Sequence, residues 1–499
     1  MMKKFTTYFF CIVMLLSAAC NEAGAQHKSL LRPVYAKVAC SILKDTESAE
    51  IAGLARKGDA LLVLRPSFIF ITDTTIVDTY KVRCEDGTIG YVYAKYVSTD
   101  KAEAEARYMP EYYDPLISKA KNTFGGGDPM GCDIYPRKKE QFKDNVMPDA
   151  CYSLYLTCNN SVLENIDEYI ALAKRTKINT FVIDIKEDGF PGFKADAMKK
   201  YAPSAYARAR DNEQLYKEVV RKCHENGIWA VGRIVVFKDY HFTKDNPDCA
   251  LWNKATGEML YHNKSHWPSA YSRKVWEYNV ALAKEAVQKF GFNEINFDYV
   301  RFPDRMMKIE SGIEMRNRYG ESKLQAIQRF VTYAVDEIHK LHAYVSIDVF
   351  GEAANPGYTT AYGQYWPAIS NVADVISGMP YPDHFSNGYY GIQKPWNHPY
   401  EIMRAWGARA MGRQAETPSP AIVRTWVQAY HVLRFVDRNG IDYDAANIEK
   451  EIRGLYDAGL TGGYVTWLSS SNIERYRSQA AAFNIDYYRI WLSKQTVDK

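Results

Sequence analysis

From residue 151 to about residue 470, short apolar runs alternate eight times with longer stretches whose apolar residues recur every three or four positions. Short apolar runs are typical of buried strands, and the longer period is typical of helices that bury one face. Because parallel strands need a crossover connection, this alternation predicts an α/β fold with a parallel sheet. Eight such units are the number that closes a (β/α)8 TIM barrel. The predicted strands are 151–157, 180–185, 229–237, 294–300, 344–350, 374–379, 421–428 and 463–468.

Two of the intervening segments show the helical period most clearly. An apolar face runs from Val280 to Phe290 and stops at Gly291, a typical helix C-cap residue. The longest apolar stripe in the chain runs from Leu324 to Leu341. A doubly wound sheet is the alternative interpretation, but no GxGxxG motif follows the first strand. We therefore expect the barrel to occupy residues 151–490.

The chain before the barrel divides into a β-rich region and a connecting stretch. Residues 28–100 contain short apolar runs separated by turn signals, and Asp86-Gly87 is a typical hairpin turn. We expect a small all-β barrel there. Residues 101–150 begin with alternating charge and alanine, and their glycine cluster lacks the Lys-Ser/Thr pair of a phosphate loop. A linker is therefore expected over 101–150.

Residues 1–19 have the pattern of a signal peptide. Two lysines precede an apolar run over 9–19, which is too short to span a bilayer. The small residues before Cys20 are typical of a bacterial lipoprotein, in which Cys20 would carry the lipid. Cleavage after Ala25 is the alternative. The sequence therefore predicts export to the cell envelope, with the membrane reached only through a lipid at Cys20, or else secretion.

Composition bears on several function classes. The formal net charge is +4, so no basic excess points to a nucleic-acid partner. The nine cysteines show no spacing typical of a metal site, and neither a metal nor an organic cofactor is expected. The chain contains 38 Tyr and 10 Trp, whose flat faces and polar edges can bind sugars. Large aromatic cores would use the same residues equally well.

Acidic residues end the fourth and fifth predicted strands. Since alternate strand residues face the lumen of a barrel, Asn296, Asp298 and Asp348 are expected to point inward, with Glu352 just beyond. The C-terminal ends of the strands are where barrel active sites form. Two carboxyl groups are the minimum for cleaving a glycosidic bond, because one donates a proton while the other attacks the sugar or activates water. We therefore expect Asp298, Asp348 and Glu352 to be the catalytic candidates.

Further charged residues follow the second, third and fourth strands. The same alternation places Asp184 and Lys186 inward, with Glu187 just beyond them. Arg233 and Arg301 could pair with the acids in a structural salt-bridge layer, and Asp184 and Lys186 could neutralise each other. The functional alternative is that these five residues contact a substrate.

The later strands end in aromatic and amide side chains. Tyr381 and His384 follow the sixth strand, Trp426 and Gln428 share one face of the seventh, and Trp467 ends the eighth. Stacking faces together with hydrogen-bonding groups suit a sugar ring. Any single aromatic residue could instead belong to the core. We expect the set as a whole to bind substrate: Tyr381, His384, Trp426, Gln428 and Trp467.

Five segments of the predicted barrel are distinctive in sequence and order. They are Arg233–Asp239, Trp267–Trp276, Ile295–Pro303, Asp348–Gly351 and Trp426–Gln428. Together they resemble a bacterial family of glycoside-hydrolase-like TIM barrels, an uncharacterised glycosyl hydrolase domain related to α-amylase and other sugar-cleaving barrels. The resemblance covers about residues 151–470 and implies the fold, while the fold alone does not fix the chemistry.

The resemblance also implies roles for the carboxylates. In the wider group of barrels the acid ending strand four is the nucleophile, and an acid ending strand five is the proton donor. These roles would fall to Asp298 and to Asp348 or Glu352. Three positions depart from the amylase pattern. Asn296 stands where an arginine is usual, Asp348 stands where the donor is usually a glutamate, and the residue after Trp467 is leucine rather than asparagine.

Within the β-rich region, segments 52–59, 80–83 and 90–97 resemble bacterial SH3-like domains, which pair a Lys-Gly turn with a Gly-Tyr/Trp-Val strand. The resemblance implies an SH3-like domain over 28–100 that binds a cell-wall peptide or glycan. The alternative is a rigid spacer without a ligand.

The function expected from these features is hydrolysis of a glycosidic bond in a polysaccharide or cell-wall glycan by two carboxylates. One alternative is a glycan-binding protein that has the barrel without the chemistry. Another is a cell-envelope scaffold in which the SH3-like module carries the function.

Overall fold

The computed structural model describes most of the chain in two compact units, residues 1–117 and 118–499. The predicted signal peptide and the lipidation site Cys20 lie outside the described residues. In the described part of the chain, no helix combines the length and the apolar character needed to cross a membrane. The described residues are 32–37, 40–47, 50–55, 58–72, 75–106, 125–127, 129, 132–134, 137–188 and 190–497.

The N-terminal unit is built on one antiparallel sheet of seven strands. Its core is apolar and includes Ile42, Val82 and Val92, all fully buried. The turn predicted at Asp86-Gly87 is confirmed, since the Gly87 amide donates to the Cys84 carbonyl and Gly87 has a φ of 88°. The small all-β region is therefore present, and its SH3-like character stays a prediction. Its strands are Pro33–Ala36, Cys40–Leu43, Ile51–Ala55, Ala60–Thr72, Thr75–Arg83, Ile89–Tyr93 and Val97–Ser98, and the helix Lys101–Ala106 follows them.

The second unit is a (β/α)8 barrel, as the sequence predicted. Strands pair in parallel with their neighbours in chain order around the ring. The seventh strand closes the ring, because its first part pairs with the sixth strand and its second part pairs with the eighth. The strands are β1 (Cys151–Leu156), β2 (Thr180–Glu187), β3 (Trp229–Val235), β4 (Glu294–Asp298), β5 (Tyr344–Phe350), β6 (Val375–Met379), β7 (Ile422–Val423 and Thr425–Gln428) and β8 (Gly463–Trp467).

Helices cover the outside of the barrel and use the end signals that the sequence contains. The longest helix ends at Gly291, whose φ of 82° gives the left-handed C-cap that glycine favours. The helix after β4 begins with a capping box between Ser322 and Gln325. The outer helices are α1 (Ile166–Lys174), α2 (Glu213–Glu225), α3 (Arg273–Phe290), α4 (Lys323–Ile338), α5 (Trp366–Ser370), α6 (Pro399–Ala415), α7 (Ala445–Asp457) and α8 (Ile473–Ser478).

Shorter elements fill the loops and the C-terminus. The loop between β3 and α3 carries two small hairpins and a short helix above the barrel. The short helices are Asn160–Leu163, Asp196–Tyr201, Pro203–Arg208, Tyr240–Asp245 and Met306–Ile309, and the last helix is Tyr487–Val497. The short strands are Phe190–Pro191, Trp252–Asn253, Glu258–Met259, Tyr261–His262, Ser265–His266 and Ile313–Glu314.

Residues 137–149 pack against the N-terminal end of the barrel. The Phe142 ring stacks on His342 at 5.1 Å and contacts Tyr344. The Lys139 ammonium donates to three backbone carbonyls that precede β6, including that of Ala373 at 2.6 Å. Asn145 donates to the carbonyl of Asn293. The later part of the predicted linker therefore forms a floor for the barrel, while the domain boundaries themselves stay predictions.

The lumen has an ion pair at its lower end. The Arg424 guanidinium donates to Glu294 at 2.8 Å, and the Trp229 indole donates to the other oxygen of the same carboxylate. All three side chains are buried. This lower layer separates the floor from the polar residues at the C-terminal ends of the strands.

Candidate active site

A cleft of about 360 Å³ opens at the C-terminal ends of the barrel strands. This is the end at which barrel enzymes carry their active sites, because side chains from several βα loops meet there. Aromatic, acidic and basic groups line the cleft together. Its lining residues are Tyr155, Thr157, Glu187, Arg233, Asp298, Tyr299, Arg301, Phe350, Met379, Tyr381, His384, Trp426, Trp467 and Ser469.

Arg233 of β3 joins the carboxylates that the second and fourth strands provide. One terminal nitrogen donates to Asp184 Oδ1 at 2.6 Å and to Glu187 Oε2 at 2.7 Å. The other donates to Asp298 Oδ2 at 2.6 Å. The guanidinium is buried, so these bonds supply the charge compensation that a buried ion requires. Asp184 also accepts a hydrogen bond from the Tyr155 hydroxyl.

Asp298 is the last residue of β4 and faces the cleft. Besides its bond to Arg233, it accepts a hydrogen bond at Oδ1 from the Tyr299 amide at 2.6 Å. Tyr299 has a φ of 52°, a left-handed conformation that is strained for a tyrosine and that ends the strand at Asp298. Both carboxylate oxygens are therefore held by donors, and one donor is a cation. These two bonds fix the direction of the carboxylate.

Asp348 of β5 lies beneath the cleft wall and is completely buried. Its Oδ1 accepts from the Asn296 amide and from the Trp426 indole, both at 2.9 Å. Its Oδ2 is buried without a partner among the described residues. Burial, followed by the charge of Asp298, raises the pKa of Asp348 well above its ordinary value. This shift favours the protonated form of the Asp348 carboxyl, and the part of Asp348 in catalysis stays a prediction.

Glu352 lies in a neighbouring cleft of about 360 Å³. It follows β5 on a short helical turn, Gly351–Ala354. Phe350, Met379 and His384 line both clefts, so the two spaces adjoin. Burial raises the pKa of Glu352. Glu352 thus combines access to solvent with a raised pKa, the two properties that a general acid requires.

Lys186 does not face the lumen, contrary to the strand alternation used to place it. The register of β2 against β3 shifts after Arg233, so that Lys186 rather than Ile185 pairs with Ile234. The Lys186 ammonium binds Asp239 at 2.5 Å. The suggested pair of Asp184 with Lys186 is therefore wrong. The shift also brings Glu187 into contact with Arg233.

Most of the predicted aromatic rim is in place. Tyr381, His384, Trp426 and Trp467 line the cleft, and the indoles of Trp426 and Trp467 contact each other at 5.7 Å between ring centroids. Gln428 is fully buried beside the cleft, where its amide donates to the Tyr430 carbonyl. Its predicted contact with a substrate is therefore not direct.

The sequence reasoning missed the contribution of β1. Tyr155 and Thr157 line the cleft, and Tyr155 packs on Trp467 at 4.6 Å between ring centroids. Applying the inward alternation to β1 would have selected Tyr155, because it follows the lumen residues Cys151 and Ser153 at intervals of two. Ser469 comes from the loop after β8, where no periodicity assigns a direction.

The described residues contain no group of three or more His, Cys, Asp or Glu side chains placed to hold a metal ion. The acidic residues of the cleft are instead gathered around Arg233.

Among solved structures, the chain is similar to a hypothetical protein from Ruminiclostridium thermocellum at 31% identity. The match covers 39% of this chain and 97% of that chain, with a TM-score of 0.33. The glycoside hydrolase domain of PgaB (BpsB) from Bordetella bronchiseptica matches at 12% identity over 68% of this chain and 99% of that chain, with a TM-score of 0.47. A GH20 exo β-N-acetylglucosaminidase from Vibrio harveyi, in complex with N-acetylglucosamine, matches at 12% identity over 70% of this chain and 57% of that chain, with a TM-score of 0.41.

No curated protein matches the chain. A family model described as "Putative glycosyl hydrolase domain" matches residues 153–473, which is more than half of the chain and spans β1 to the start of α8. The chain therefore belongs to this glycosyl hydrolase family.

Proposed function

We propose that the protein hydrolyses glycosidic bonds of a polysaccharide or cell-wall glycan in the cleft at the C-terminal face of its barrel. Membership of a glycosyl hydrolase family supports the reaction class. The observation that carries the proposal is Asp298, an oriented carboxylate at the wall of a cleft lined by aromatic rings.

In this proposal Asp298 attacks the anomeric carbon or activates a water molecule. Arg233 and the Tyr299 amide each bind one oxygen of the carboxylate and limit its rotation. A nucleophile or base of this kind must be deprotonated when the substrate binds. Arg233, the cation that pairs with Asp298, is buried, so its guanidinium also excludes bulk water from one side of the Asp298 carboxylate.

Glu352 or Asp348 would provide the proton for the leaving oxygen. Glu352 has the more direct access, because it lines the adjoining cleft. Asp348 holds a proton more firmly, but its side chain is buried and does not line either cleft. We propose Glu352 as the acid and Asp348 as a neutral neighbour whose proton is sensitive to the charge on Asp298.

The sugar would stack on Trp467. This indole is half-buried at the end of β8, and its ring packs on Tyr155 and on the Arg233 guanidinium. A fixed ring with one free face gives apolar contact to the C–H face of a pyranose, while nearby polar groups can bind its hydroxyls.

The test is release of reducing ends from a panel of bacterial, plant and host glycans. The wild-type protein is compared with Asp298→Asn and with Asp167→Asn, an exposed acid of α1 that pairs with Lys222 on the surface. We expect product from the wild type and from Asp167→Asn, and a loss of at least about a thousandfold in Asp298→Asn. Glycan binding by folded wild-type protein with no product at any pH would favour the non-catalytic alternative.

Export and the N-terminal module belong to the proposal as well. We propose that the protein reaches the cell envelope, anchored through a lipid at Cys20 or secreted after cleavage, and that the β-rich unit binds a cell-wall peptide or glycan. The test is membrane fractionation of the wild type and Cys20→Ala, followed by sedimentation of the full chain with insoluble cell wall. Soluble wild-type protein would contradict the lipid anchor and favour secretion after cleavage. No sedimentation would contradict binding of the cell wall.

A further inference from the structure

Arg301 places a buried cation in the wall of the cleft. It follows β4 by three residues, and only 3% of its surface is exposed. Aromatic rings surround its guanidinium: Phe350 lies 4.3 Å from it, Tyr299 4.6 Å and Trp267 5.1 Å, each measured to the ring centroid. The side chain is therefore held in one place by flat apolar surfaces.

The charge of Arg301 lacks a close acidic partner. Its guanidinium donates to the Phe302 carbonyl at 3.0 Å and interacts with the Tyr299 hydroxyl. Within the described residues no carboxylate oxygen lies within 4.0 Å of it, whereas Arg233 binds three carboxylates in the same cleft. Burial lowers the pKa of Arg301, and the nearby Tyr299, Asp304 and Asp298 oppose this effect only in part.

Charge is distributed unevenly around the cleft. The acids Asp184, Glu187 and Asp298 gather on the Arg233 side. On the other side, Tyr299 lies between Arg301 and the Lys238 ammonium, which is 5.3 Å from its ring. Lys238 is itself paired with Asp188 at 3.1 Å. An anionic ligand group would thus meet attraction at Arg301 and repulsion from the acids around Arg233.

We propose that the cleft binds a sugar bearing a carboxylate, and that Arg301 is the group that recognises this carboxylate. The inference rests on the proposed function, since it names the substrate class of the same cleft. A planar guanidinium offers paired N–H donors that match the two oxygens of a carboxylate. Binding would give the buried guanidinium a directly bonded carboxylate, which the nearby Asp298 and Asp304 do not supply, and a neutral sugar could not do so.

The first experiment measures binding of matched sugars to the full chain by calorimetry. The pairs are glucuronate with glucuronamide, and N-acetylmuramate with the amide of its lactyl group, so that the members of each pair differ only in carboxylate against carboxamide. We expect each acid to bind at least about tenfold more tightly than its neutral counterpart, as a charge-assisted bond removed from water predicts. Equal binding within both pairs would overturn the proposal without the need for any variant. A preference confined to one pair would identify whether the carboxylate lies on the ring carbon or on a side chain.

The second experiment assigns the preference to Arg301. Arg301→Gln removes its charge, and Lys308→Gln removes one positive charge from an exposed position on the short helix Met306–Ile309. We expect Arg301→Gln to bind acid and neutral sugars alike and Lys308→Gln to keep the preference. A preference that survives in folded Arg301→Gln would overturn the assignment. If Arg301→Gln does not fold, Arg301→Lys should retain part of the preference, because it keeps the charge without the paired donors.

Failure of this inference and failure of the proposed function have different signatures. Asp298→Asn should keep the preference for acidic sugars, because it leaves Arg301 unchanged. Hydrolysis of neutral glycans with no preference for acids would retain the function and reject the inference. A strong preference for acids in a protein that hydrolyses nothing would support the inference and reject the proposed function.

Discussion

Arg233 is the cation that Asp184, Glu187 and Asp298 share, and its charge affects the pKa of Asp184 and of Glu187. Burial raises the pKa of Asp184 to about 6, and the nearby charge of Arg233 opposes that rise. Against the effect of burial, Arg233 keeps the pKa of Glu187 below its ordinary value. The cluster therefore depends on one guanidinium.

Replacing Arg233 by methionine should lower the free energy of unfolding by about 3–5 kcal/mol at neutral pH, because Asp184 and Asp298 would stay buried without their cation. The control is Arg221→Met on α2, where the arginine pairs with Glu218 and Glu225 at the surface. That change should cost less than about 1 kcal/mol. Urea denaturation measures both, and equal losses would contradict the role given to Arg233.

Asp348 predicts a pH dependence of stability with a definite sign. Its pKa is raised in the folded protein by burial and then by Asp298. Above the unfolded pKa of about 3.9, the unfolded chain loses a proton that the folded chain keeps, so this group makes stability fall as pH rises toward the folded pKa. Asp348→Asn removes this titrating group and therefore removes its contribution to the pH dependence of stability.

The stability of Asp348→Asn should therefore improve relative to wild type as pH rises, by up to about 1.4 kcal/mol per pH unit within that range. Denaturant unfolding between about pH 4.5 and pH 7.5 measures the difference. Asp298→Asn should reduce the slope in the wild-type background, since it removes the charge that contributes to the shift. Parallel stability curves for wild type and Asp348→Asn would contradict the raised pKa.

At the scale of single elements, strong local signals made some of the structure predictable. The bounds of β5 are those that the sequence predicted, 344–350, and the end of α3 at Gly291 follows from the glycine itself. The shifted register in β2 left no such signal, because apolar and charged residues alternate without a break from Ile183 to Lys186. Lys186 was consequently assigned to the wrong face.

The sequence of a strand predicts which way each side chain points, but it does not predict whether side chains from other strands cover it. Alternation along β4 and β5 correctly brought Asp298 and Asp348 to the same region of the lumen. It could not tell that Trp426 and Asn296 cover Asp348, because covering depends on side chains from other strands. The role of Arg233 as a shared partner was likewise one of two open possibilities until distances were known.

The end of α3 gives a prediction at the level of one element. Gly291 has a φ of 82°, and an added Cβ would meet only His224 at 3.6 Å, so the cost of alanine there is conformational. Gly291→Ala should lower the free energy of unfolding by about 1–2 kcal/mol. Gly312→Ala is the control, since its Cβ would meet nothing within 4 Å and its φ lies outside the left-handed region. It should change stability by less than about 0.5 kcal/mol, and similar effects at both glycines would contradict the C-cap.

In the barrel as a whole, the two ends of the strands differ in what they carry. The C-terminal ends carry the cleft, and the N-terminal ends are closed by residues 137–149. Between them lies the buried pair of Glu294 and Arg424. Barrels commonly divide stability and chemistry in this way. Changes at the floor should therefore alter folding without altering binding, and changes at a rim residue that makes no buried ion pair, such as Trp467, should do the opposite.

Phe142→Ala and Trp467→Ala test this separation directly. Phe142 is half-buried against His342 and Tyr344, so its truncation should cost about 1–3 kcal/mol of stability while Kd for a glycan stays unchanged. Trp467→Ala removes the proposed stacking face and should raise Kd about tenfold. Phe142 contacts Tyr344 in the hydrophobic cluster of the lumen and Trp467 contacts Tyr155 in the same cluster, so the two side chains have different neighbours and the double variant should show the sum of both effects. Calorimetry and urea denaturation of the wild type, the two single variants and the double variant measure Kd and stability. A rise in Kd caused by Phe142→Ala would mean that the floor and the cleft are coupled through the lumen.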